Sequence, residues 1–268
     1  GMENMRITYG CCSDRGDVRT ENQDRVLALS GEVEGKEAGL FVLADGMGGL
    51  EHGSSVSTYI TDEFLKWWEE DFPQMAHAGK CEKEEIRELL EQEIWDINQA
   101  VLAFRKRENC RSGSTISILF VYGDDYYIVN MGDSRVYIVQ DGRLRRLTED
   151  QSMAAQLVRE GKLTEAQAKH SKQNHILTMC IGMFEIPKNF YTEGKVKSND
   201  SFLLCSDGLY NVLSEEKIFC TLTQGELKPQ ERAELLRKMI EPGMAKDNVS
   251  DICLLYTSPS PRDRSLSR

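Results

Sequence analysis

The chain has 268 residues, 40% hydrophobic and 29% charged, with 44 Asp+Glu against 33 Lys+Arg and a net charge of −11. That composition supports a sizeable core and argues against wholesale disorder. The acidic balance lacks the basic footprint a nucleic-acid binder needs. Eight cysteines without CxxC spacing point away from zinc or dithiol motifs, toward reduced, buried thiols and a cytoplasmic setting. No signal peptide is evident and no apolar run nears the eighteen residues of a span.

Residues 5–14 and 24–33 read as strands, followed by the apolar run AGLFVLAD over 38–45. Helical spacing then begins, with Ser54 as its predicted cap and Val56, Tyr59, Ile60, Phe64 and Trp67 on one face. A longer helix is predicted over about 82–108, striped by Ile86, Leu89, Leu90, Ile94, Ile97, Val101 and Phe104. Four strands follow, at 114–122, 125–131, 134–140 and 143–148. The intervening GDD, GD and DG are hairpin signals, which imply antiparallel pairing. Residues 153–180 read as a polar, helical surface excursion. A strand SFLLCSDG (201–208), helices near 214–220 and 229–240, and a last strand from Val249 complete the order.

Strands interrupted by paired helices predict an α+β fold: two packed antiparallel sheets flanked by helix pairs, a four-layer αββα sandwich. No repeat or linker divides the chain, so 2–255 reads as one domain. Residues 256–268 depart in composition, holding two of the six prolines and three arginines. CLLYTSPSPRD resembles read-through into a sequencing adaptor, and the segment reads as a non-native tail.

Three apolar strands run into aspartates, at Asp45, Asp133 and Asp207, and Asp247 stands just before the last strand. A single Asp-Gly pair is ordinarily a turn. Repeated placement at strand exits suggests a cluster at one edge of the sheets. Clustered carboxylates repel one another, and hard divalent cations are the usual compensation.

The blocks VRTENQD (18–24), ADGMGG (44–49), GSTISILFVY (113–122), VNMGDSRVY (129–137), LTEDQS (147–152), LTMCIG (177–182), LLCSDGL (203–209) and DNVS (247–250) resemble, in order, those of bacterial metal-dependent protein phosphatases of type 2C. The resemblance implies hydrolysis of phosphoserine and phosphothreonine with two Mn²⁺ or Mg²⁺ ions. Asp45 would bridge the ions, aided by the Gly46 carbonyl, and Asp207 and Asp247 would hold the second. Asp133, with Asp207, matches a weaker third-metal position. A water between the ions would attack phosphorus in line. Arg19 would grip the phosphate, and Asp24 would orient metal-bound water.

Thr115 and Ser134 read as structural hydroxyls, since nothing resembling an activated nucleophile surrounds them. Gln23 stands where Glu is common, which keeps hydrogen bonding and loses a charge. Met47 occupies the place of a histidine proposed as general acid in eukaryotic relatives, which leaves leaving-group protonation to water. Leu50 and Gln151 replace histidines of bacterial relatives, and His52 reads as a solvated loop residue. The 153–180 excursion matches the family's variable flap beside the active site.

The implied partners are phosphorylated proteins, a cognate Ser/Thr kinase or its substrates among them, with no nucleic acid, no membrane and a monomeric state. Two other readings remain open. One is a non-catalytic phosphoprotein-binding domain on the same fold, which would require lost metal ligands. The other is a phosphatase of small phosphoesters.

Overall fold

A computed structural model of the chain describes residues 5–49 and 52–258. The first half runs β1 (Arg6–Asp14), β2 (Asp24–Val33), β3 (Lys36–Met47), α1 (His52–Lys66), a π-helical turn (Trp67–Asp71), α2 (Phe72–His77) and α3 (Lys83–Arg107). It continues through β4 (Gly113–Ser114), β5 (Ile116–Tyr122), β6 (Asp125–Met131), β7 (Arg135–Gln140) and β8 (Arg143–Arg146). The second half holds α4 (Met153–Arg159), α5 (Glu165–Lys169), a 3₁₀ turn (Lys172–His175) and β9 (Phe190–Lys195). It closes with β10 (Asp200–Cys205), α6 (Asp207–Tyr210), α7 (Glu215–Leu222), α8 (Pro229–Lys238) and β11 (Val249–Thr257).

The strands form two antiparallel sheets, ordered β1-β11-β10-β7-β8 and β2-β3-β5-β6-β9, with β4 on β3. Alternation along the buried strands sorts side chains into layers. Leu40, Val42, Ile118 and Phe120 face α1–α3, while Phe41, Leu43, Leu119 and Val121 meet Phe202, Leu204 and Ile252 between the sheets. On the outer face of the first sheet, Tyr137, Leu203 and Cys205 pack with Ile218 and Leu222 of α7 and Leu236 of α8. The result is the expected α+β sandwich of four layers.

Local chemistry explains the helices. Glu82 and Glu85 form a reciprocal capping box that starts α3. The Ser214 hydroxyl accepts the Lys217 amide at 3.2 Å to start α7. The π-helical turn after α1 sets Trp67 and Phe72, five residues apart, on the same core face. Their rings stack at 5.7 Å, and Phe120 meets Trp67 edge-on at 5.1 Å.

Four details differ from the sequence reading. The first helix begins at His52, so Ser54 lies inside its first turn instead of capping it. Gly132-Asp133 is not a hairpin. It carries the chain from β6 in one sheet to β7 in the other, and Gln151 fastens it, its side-chain oxygen accepting the Gly132 amide at 2.8 Å. The strand β9, half-exposed and polar, has no counterpart in the sequence reading; it pairs with β6 and closes a sheet edge. Asp45 lies two residues before the end of β3, not at its exit. All eight cysteines are free thiols. The segment expected as a tail begins inside β11, where Tyr256 is fully buried; Leu50 and residues 259–268 lie outside the described residues.

Candidate metal centre

One end of the sandwich gathers carboxylates from both sheets. Asp24 opens β2 directly opposite Asp45 of β3. Asp207 heads α6 two residues beyond β10, Asp247 precedes β11, and Asp133 sits in the crossover between sheets. Asp45, Asp133, Asp207 and Asp247 line a cleft of about 700 Å³ together with Arg19, Gly46 and Met47. Asp24 is buried beneath it and accepts a hydrogen bond from the Ser250 hydroxyl at 2.6 Å.

The backbone is built to hold these groups still. The Asp45 amide donates to the Thr115 hydroxyl at 3.0 Å, and the Thr115 amide donates to the Asp45 carbonyl, also at 3.0 Å. Thr115 Oγ1 lies 3.3 Å from Ser134 Oγ, so both hydroxyls serve the scaffold. Gly46 is obligatory: a Cβ there would stand 2.1 Å from the Gly53 carbonyl oxygen. Tyr210 donates to the Asp133 carbonyl at 2.7 Å, and the Arg135 guanidinium lies 3.6 Å over its ring.

The loop before β2 is clasped by residues whose role the sequence did not disclose. Asn248 donates to the carbonyls of Arg15 (2.8 Å) and Glu21 (2.9 Å) and accepts from the Gln23 amide (3.0 Å). Gln23 in turn donates to the Glu21 carboxylate at 2.8 Å and the Gly48 carbonyl at 2.7 Å. Its amide therefore ties the glycine turn to this loop. Arg19 is held at the rim, its Nε 3.3 Å from Asp247 Oδ1 with 60% of the side chain exposed. His52 does not reach the cleft and sets its ring against Phe104 at 5.7 Å. The 153–180 excursion forms α4, α5 and the 3₁₀ turn, and places His175 and Leu177 in the cleft wall.

Burial and mutual repulsion dominate the electrostatics. Burial first, then the charges of Asp207 and Asp247, push the Asp24 carboxyl up to about 7 against hydrogen bonds from Ser250 and Asp45 that lower it. Asp207 rises to about 6 by burial and the Asp247 charge. Asp45 and Asp133 are also raised, by burial and then by neighbouring carboxylates. One oxygen each of Asp24 and Asp207 is buried without a hydrogen-bond partner. Such a cluster needs either protons or cations.

The donors are hard oxygens, which suits Mg²⁺ or Mn²⁺. Among the described residues, no group of three or more His, Cys, Asp or Glu side chains could by itself hold a metal ion.

The family model described as Protein phosphatase 2C matches residues 17–241. A serine/threonine phosphatase stp of Listeria welshimeri is 30% identical over 218 residues, covering 77% of this chain and 79% of that protein. The catalytic domain of the serine threonine protein phosphatase PstP, crystallised with two manganese ions, superposes with a TM-score of 0.79 at 26% identity. It covers 94% of this chain and 99% of that one. The S. agalactiae serine/threonine phosphatase gives a TM-score of 0.80 at 28% identity, over 92% of this chain and 98% of that one.

Proposed function

This chain belongs to the protein phosphatase 2C family and is a metal-dependent protein serine/threonine phosphatase, and we propose that its two Mn²⁺ or Mg²⁺ ions are held by Asp45, Gly46, Asp207 and Asp247. Asp133 would join Asp207 at a weaker third position. The observation that carries this assignment is that Asp45, Asp133, Asp207 and Asp247 face one cleft with Arg19 at its rim, Asp133 and Asp207 being buried and one Asp207 oxygen lacking a partner. The ions supply Lewis acidity and an activated water for attack on phosphorus. Arg19 grips the phosphate oxygens and reaches them from the Asp247 side. Asp24, beneath Asp45, accepts and orients a proton of water entering the cleft. Phosphate release from a phosphothreonine peptide, present with Mn²⁺ and lost on chelation, tests the reading. Silence from a folded, Mn²⁺-bound protein would instead favour the non-catalytic binding domain.

Two consequences are measurable. Arg19→Ala removes charge-assisted hydrogen bonds worth roughly 1.5–3 kcal/mol, so kcat/KM for the peptide should fall about 10- to 100-fold. Metal affinity should be proton-linked, because ligand carboxylates must be ionised to bind. With Asp24 at about 7 and Asp207 at about 6, Mn²⁺ affinity should weaken as pH falls from about 7.5 to about 5.5. Calorimetry in two buffers of different ionisation enthalpy should show proton release over that range.

The substrates belong to the proposal as well: phosphorylated proteins, including a cognate Ser/Thr kinase or its targets. No described helix is long and apolar enough to cross a membrane. With eight free thiols, a cytoplasmic setting and a monomer are the reading we adopt.

A further inference from the structure

Resting on the phosphatase reading, we infer that His175, carried into the cleft by the flap, protonates the serine or threonine oxygen as it leaves phosphorus. Hydrolysis of an alkyl phosphate expels a strongly basic oxygen, which needs a proton donor. Among the described residues lining the cleft, only Arg19 and His175 can carry a positive charge. Arginine does not give up its proton. Met47 has none to give, and the Thr115 hydroxyl, whose oxygen accepts the Asp45 amide, is an alcohol no more acidic than the leaving group itself. An imidazole is the side chain that exchanges protons near neutral pH.

The flap holds His175 at this place by its backbone. The Ser171 hydroxyl accepts the Gln173 amide at 3.1 Å to start the 3₁₀ turn. Just beyond it, the Met153 amide donates to the Ile176 carbonyl at 2.7 Å and the Thr178 amide to the Gln151 carbonyl at 2.9 Å. Ser152 and Leu177 pair as an isolated bridge. Gln151 also fastens the Asp133 crossover, so flap and carboxylates share one anchor. The imidazole itself is exposed, with no hydrogen bond or ion pair among the described residues. Its charge is close enough to Asp207 to favour the ionised carboxylate. The other charged groups lining the same cleft are Arg19, Glu21, Asp45, Asp133 and Asp247.

In the step, the water oxygen bonds to phosphorus as the bond from phosphorus to the side-chain oxygen breaks. The electron pair stays on that oxygen, which takes the imidazolium proton. The attacking water's proton passes to solvent, and solvent returns one to the imidazole. Ester and water become alcohol and phosphate.

The test compares leaving groups in His175→Gln, a change at an exposed position. With a phosphothreonine peptide, kcat should fall about 100-fold, the scale of general-acid catalysis, and the basic limb of its pH profile should disappear. With p-nitrophenyl phosphate, whose leaving oxygen needs no proton, kcat should stay within about threefold. Equal losses on both substrates, or no loss on either, would overturn the assignment. If the wild type releases phosphate from neither substrate with Mn²⁺, it is the phosphatase reading that fails.

Discussion

Asp45→Asn is expected to abolish metal-dependent turnover, lowering kcat on a phosphothreonine peptide about a thousandfold or more. As a proposed ligand of the ions, the carboxylate would hold the Lewis-acid charge that the reaction uses, worth several kcal/mol, and about 1.4 kcal/mol is tenfold in rate. Stability should move the other way. Burial and neighbouring carboxylates raise Asp45 above its unfolded value, so its contribution is present at low pH and lost as pH rises through the folded value. At pH 7 the metal-free wild type therefore carries a penalty that the neutral amide removes. The metal-free variant should melt higher than metal-free wild type, and Mn²⁺ should no longer raise its Tm as it does in the wild type. A variant that retained both turnover and the Mn²⁺ shift would show that Asp45 is not the bridging ligand.

Asp251→Asn should stabilise the protein increasingly as pH rises. Asp251 is fully buried in β11, directly opposite Cys12 on one side and Cys205 on the other. One oxygen has no partner, and the other has only the Cys253 thiol at 3.8 Å. Burial pushes the carboxyl well above its ordinary range. A folded-state value above the unfolded one means stability held in acid and lost with rising pH, up to about 1.4 kcal/mol per pH unit until the folded group ionises. Asparagine keeps the size and removes the ionisation. Urea unfolding at pH 5, 6.5 and 8 should show its advantage growing across the series. A constant difference would mean that the carboxyl is not confined as described.

Much of the site was readable because Asp45, Asp133 and Asp207 follow apolar runs, and a buried strand that runs into a carboxylate leaves a local signature. The two sheets were legible for the same reason: runs such as ISILFVY and SFLLC are buried on both faces. What escaped depends on contacts with no local trace. Asn248 reaches back 233 residues to Arg15, and nothing in DNVS announces that clasp. Gly132-Asp133 resembles a hairpin turn, yet its direction is set by which sheet β7 joins. In FYTEGK only pairing with β6 makes a strand, since neither its burial nor its composition would. His175 lies in a polar flap where position relative to the cleft, not sequence context, gives it meaning.

The placement of β11 has a consequence for synthesis. This strand enters between β1 and β10, in the interior of its sheet, with Arg6 opposite Thr257. As the chain leaves the ribosome, β1 and β10 must wait for a strand made after both of them. Until it arrives, Asp247 and Asn248 have no fixed place beside Arg19 and Gln23. The Asp247 side of the cleft therefore takes its described form only after β11 has been translated and has docked between β1 and β10.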